Sequence, residues 1–72
     1  MKIYECEFVF TKQGDVCKGS FRIVVDIQVY YPLSYEQIKE RAYYEAAKIE
    51  FPDEYKDYNK IQSFCVKREY EL

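Results

Sequence analysis

The sequence predicts an α+β fold of order β-β-α-β, with one helix packed on one face of a three-stranded sheet. Three observations predict it. Two early segments alternate apolar and polar residues with period two. A capped segment follows with small apolar residues at helical spacing. A last run of aromatic and β-branched residues then comes after an acidic loop.

Residues 2–10, KIYECEFVF, place Tyr4, Cys6, Phe8 and Phe10 on one parity and Ile3, Glu5, Glu7 and Val9 on the other. Alternating residues of a strand point to opposite faces, so one face is buried and one largely wet. Gln13-Gly14-Asp15 is the turn signal, since glycine takes positive φ at little steric cost. Residues 20–31 form the second strand, with Phe21, Ile23, Val25, Ile27 and Val29 inward and Arg22, Val24, Asp26 and Gln28 outward.

Charge suggests the register. A tight Gly14-Asp15 turn sets Phe8 opposite Phe21, Cys6 opposite Ile23 and Glu7 opposite Arg22. A wider loop sets Glu5 opposite Asp26, and like charges directly across a strand pair are unfavourable. The tighter register is therefore expected, with room for a bulge near Lys18-Gly19.

Pro32 ends the second strand, and Ser34 with Gln37 three residues on forms a capping box. The helix is expected to run to about Glu50, because the residue before Pro52 avoids helical geometry. Tyr35, Ile38, Ala42, Ala46 and Ile49 share one arc of the helical wheel and form its core face. Phe51 closes the bottom of the core, and residues 52–59 form a polar, acidic loop. In the third strand, 60–70, Ile61 and Cys65 are out of phase with Phe64 and Val66; Phe64 and Val66 are expected inward. Antiparallel pairing favours the first strand in the centre, giving the spatial order 2-1-3. All of residues 1–72 read as one domain.

Composition narrows function. Eleven basic residues against thirteen acidic ones give a net charge of −2. This argues against nucleic-acid binding, which needs cations to release phosphate counterions. The absence of His removes the usual general base and most zinc ligand sets. The carboxylates lie on wet faces or in the loop, not in a desolvated cleft, so no enzyme activity is expected. No spacing suits a metal ion or a cofactor phosphate. Cys6, Cys17 and Cys65 are odd in number and lack a paired spacing. Cys6 and Cys65 are read as small buried apolar residues, and Cys17 as a thiol near a turn. The longest uncharged run is nine residues and contains Pro32, too short for a span of about 20. A cytoplasmic, reducing location is expected.

The informative excess is tyrosine, with nine residues and no Trp. Tyr4 and Tyr35 are assigned to the core. Tyr43 and Tyr44 fall outside the apolar arc, beside Glu36 and Glu40. Tyrosine supplies contact area with a polar tip at low entropic cost and is enriched at interfaces. Residues 34–59 hold seven acidic and four basic side chains, so the acidity segregates with these rings. The candidate partner-binding residues are Tyr43, Tyr44, Glu36, Glu40, Asp53, Glu54, Tyr55, Asp57 and Tyr58. The expected partner is a protein with a basic surface. A homodimer through the long apolar edge at 21–31 is the alternative.

A short hairpin, then Ser34-Tyr35-Glu36 opening a helix with Ala42, then Phe51-Pro52 and a final strand, resembles small phage and mobile-element proteins of the anti-CRISPR inhibitor type. The resemblance covers most of the chain. It implies a non-catalytic inhibitor that occupies a nucleic-acid-binding or regulatory surface of a host defence complex. It carries over no site residue.

Overall fold

The computed structural model describes residues 1–12 and 19–72. Strands β1 (Lys2–Thr11), β2 (Phe21–Val29) and β3 (Lys60–Glu71) form a sheet of order β2-β1-β3, with β1 antiparallel to both neighbours. The helix α1 (Tyr35–Ala46) covers one face, and Asp53–Tyr55 form a short 3-10 turn before β3. The β-β-α-β order and the central first strand are as the sequence predicts. The expected turn at Gly14-Asp15, and Cys17 beside it, lie outside the described residues. No described helix is long and apolar enough to cross a membrane.

The hairpin register corrects the expectation. Phe8 faces Ile23 and Cys6 faces Val25, so the wider register holds and Glu5 stands opposite Asp26. The third strand supplies what a two-strand comparison omits. It brings Arg68 opposite Glu5, with Arg68 Nη2 3.5 Å from Glu5 Oε2. A neighbouring cation offsets the like-charge pair, and the wider register keeps the same faces buried.

The core lies between the helix and one sheet face. Tyr4, Cys6, Phe8 and Phe10 of β1 meet Ile23, Val25, Ile27 and Val29 of β2 beneath Ile38, Ala42 and Ala46 of α1. Ala42 and Ala46 are buried almost completely, and their small side chains let the helix sit close to β2. The capping box forms as expected: Gln37 N–H donates to Ser34 Oγ at 3.2 Å and Ser34 N–H donates to Gln37 Oε1 at 2.9 Å. The helix ends at Ala46, four residues short of the expected Glu50, and its last hydrogen bonds tighten to i→i−3 at Lys48 and Ile49. The early stop lets the chain descend so that Phe51 packs edge-on against Phe10 and Phe21, at 5.3 and 5.0 Å. Ile49, assigned to the core face, is consequently exposed.

Two register shifts in β3 resolve its ambiguous parity. The β1–β3 pairing slips by one residue between Val9 and Phe10, which leaves Gln62 as an extra residue, and again between Glu5 and Cys6, which leaves Lys67. Phe64 and Val66 pair with Phe8 and Cys6 and pack on the core as predicted. The first bulge turns Ile61 to the same side, opposite Phe10. Cys65 lies between two inward residues and therefore points outward; it is exposed, opposite Glu7, and not the buried residue expected.

The other sheet face is laced with charge. Glu7, with a side chain only 12% exposed, lies 3.4 Å from Lys67 and 3.9 Å from Arg22. The acids of the central strand are thus flanked by cations from both edges. Ile3, expected on this wet face, is buried between its cross-strand neighbours Gln28 and Tyr70.

Candidate protein-binding surface

The helix sits toward β2, and the sheet beyond it is closed by aromatic rings. Tyr35, expected in the core, is 55% exposed. As the first helical residue it overhangs β3: its ring meets Phe64 edge-on at 5.6 Å, and its hydroxyl donates to the Phe64 carbonyl at 3.3 Å. Phe64 in turn lies 4.8 Å from Phe8, and Tyr43 sits edge-on to Phe8 at 5.8 Å. At the other end, Tyr58 contacts Tyr55 at 5.0 Å, and Tyr55 stacks on Phe21 at 4.5 Å. The tyrosines therefore continue the phenylalanine core outward to its rim.

The structure divides the candidate residues. Glu36, Glu40 and Tyr43 converge, with Lys39 and Ile61, on an open cleft of about 300 Å3 between α1 and β3. A second cleft of about 150 Å3 joins Tyr43 to Tyr58 across Ala46 and Phe51. Tyr43 is 46% exposed, its covered part resting on Phe8. Tyr44 is 66% exposed, with Lys48 Nζ 4.6 Å from its ring centre. Tyr55 and Tyr58 are half-buried in the aromatic stack. Asp53 is held by Lys56 at 2.9 Å, whereas Glu54 and Asp57 are exposed on the loop. Among the described residues, Glu36, Glu40, Glu54 and Asp57 have no cation within 4.0 Å.

Tyr35 and Ile61 belong to this surface, although the sequence pattern alone predicts Tyr35 in the core and Ile61 on the far side of its strand. The phase break between Ile61 and Phe64 was the available signal, because two apolar parities in one strand can share a face only across a bulge.

The buried set among the described residues includes no charged side chain. No three or more Cys, Asp or Glu among them are placed to hold a metal ion. The buried nucleophile, Cys6, is fully covered, and its thiol is pushed up to about 11 by burial and then by the charges of Asp26, Cys65 and Glu5. No family model, curated protein or solved structure matches the chain.

Proposed function

We propose that this chain is a non-enzymatic protein-binding module that works by covering a surface of its partner. The docking surface is the outward side of α1 with the cleft beside it. Tyr43 and Tyr44 anchor the contact, Glu36 and Glu40 draw in a basic partner surface, and Tyr55, Tyr58 and the loop acids Asp53, Glu54 and Asp57 form its rim. The observation that carries this reading is the pair of exposed rings on consecutive helical residues, beside two carboxylates, Glu36 and Glu40, with no cation within 4.0 Å among the described residues. Opposite potentials raise encounter rates, and aromatic rings supply contact area once the surfaces meet. The narrower form of the proposal is a phage-type inhibitor of a host defence complex such as a CRISPR effector. It rests on the β-β-α-β sequence pattern alone.

Tyr44→Ala combined with Glu36→Lys and Glu40→Lys tests the surface. The triple variant should melt close to wild type yet lose the partner that wild type captures from host extract. Undiminished capture removes the surface assignment. For the narrower form, expression in a host with an active CRISPR system should restore plating of a targeted phage; unchanged plating removes it.

A further inference from the structure

The two sheet edges are not equivalent. β3 carries two bulges, and its Phe64 carbonyl already accepts the Tyr35 hydroxyl. Bulges and occupied carbonyls are features that blunt an edge against pairing. β2 pairs in unbroken register from Phe21 to Val29 with β1 on one side, and its other side has no strand neighbour among the described residues. Its open face carries Arg22, Val24, Asp26 and Gln28, all exposed.

Asp26 sits in an unfavourable place. It stands opposite Glu5, and the cation of that pair, Arg68, lies on the far side of Glu5. No cation lies within 4.0 Å of Asp26 among the described residues. Arg22 shares its face and lies 3.9 Å from Glu7 with most of its side chain still exposed, but four residues along a strand is about 13 Å, too far for Arg22 and Asp26 to pair within one chain.

We propose that β2 pairs edge to edge with β2 of a second copy of this chain, about a two-fold axis at Val24, to form a continuous six-stranded sheet. Antiparallel pairing about Val24 sets Arg22 of each copy opposite Asp26 of the other. It also brings Val24, 49% exposed in the single chain, against its own symmetry mate. The neighbouring registers lack this match: an axis at Val25 sets Asp26 against Val24, and an axis at Ile23 sets Arg22 against Val24. Both missing cations are supplied at once, and the isologous contact closes on itself instead of growing into a fibre. The same axis places the two helices side by side and antiparallel. The pairing residues Arg22, Val24 and Asp26 are distinct from Tyr43, Tyr44, Glu36 and Glu40 of the proposed docking surface, so loss of either contact leaves the other to be measured.

Sedimentation velocity between 1 and 200 μM (roughly the range in which one short edge contact is read) tests the pairing. Wild type should sediment as a reversible dimer. Arg22→Asp and Asp26→Arg should each set like charges across the axis and weaken association by about tenfold or more. The exchange of both residues in one chain restores the two opposite pairs and should restore the dimer. All these positions are exposed, and circular dichroism verifies that each variant folds. In a chain with Cys17 and Cys65 replaced by Ser, Val24→Cys should oxidise to a covalent dimer, whereas Gln28→Cys should not. A wild-type monomer throughout the range overturns the proposal. So does a dimer that both single charge variants leave unweakened, or one that the double exchange fails to restore.

Discussion

Tyr43 and Tyr44 are adjacent in sequence and both exposed, yet the fold assigns them different work. A tyrosine ring buries about 150–250 Å2 when fully covered. Tyr43 is 46% exposed, so about 100 Å2 remains covered, on Phe8 and the rim of the core. At about 25 cal/mol per Å2 that burial contributes about 2.5 kcal/mol. The edge contact with Phe8 adds about 0.5–1 kcal/mol, and the better helix propensity of Ala offsets about 0.5 kcal/mol. Tyr43→Ala should therefore cost about 2–3 kcal/mol, or about 10–20 °C in Tm for a domain of this size. Tyr44 is 66% exposed and lies against Lys48 of its own helix, a neighbour the unfolded chain retains. Tyr44→Ala should cost less than about 1 kcal/mol once the propensity gain is included. Thermal and urea denaturation followed by circular dichroism read both values. Equal losses for the two variants, or a Tyr43→Ala protein as stable as wild type, would refute the division between a ring that helps close the core and a ring that stays in solvent.

Other outcomes follow from the same packing. Phe8→Ala removes a fully buried ring that touches Phe10, Tyr43 and Phe64, and should cost about 3–5 kcal/mol, seen as a collapse of the urea midpoint. Ser34→Ala removes the helix cap and should cost about 1 kcal/mol, while Ser34→Asp should retain most of it. With a thiol-specific reagent at pH 8, Cys65 should react promptly and Cys6 only as the fold opens. The Cys6 thiol lies above its ordinary value of 9.0 at about 11, so the folded state holds its proton longer than the unfolded chain. Its contribution is complete below pH 9 and is lost between about pH 9 and 11, by about 1.4 kcal/mol per pH unit. The stability difference between wild type and Cys6→Ala should therefore shrink over that interval in urea titrations; a difference that stays constant refutes the shifted thiol.

Period-two alternation, the Ser34–Gln37 box and the Ala42–Ala46 stripe are local patterns, and they determined the first two strands, the helix start and the helix face without reference to the rest of the chain. The exposure of Tyr43 and Tyr44 was legible for the same reason, because a helical wheel places residues relative to one another before anything packs on them. What tertiary structure alone decided depends on a third element. The hairpin register tolerates Glu5 opposite Asp26 because Arg68 arrives from β3. The helix stops at Ala46, and the chain beyond it sets Phe51 against Phe10 and Phe21, contacts that no local pattern specifies. Tyr35 becomes a rim residue because Phe64 lies under its ring. Each outcome balances contacts between residues distant in the chain, and such energies exist only once the sheet has closed.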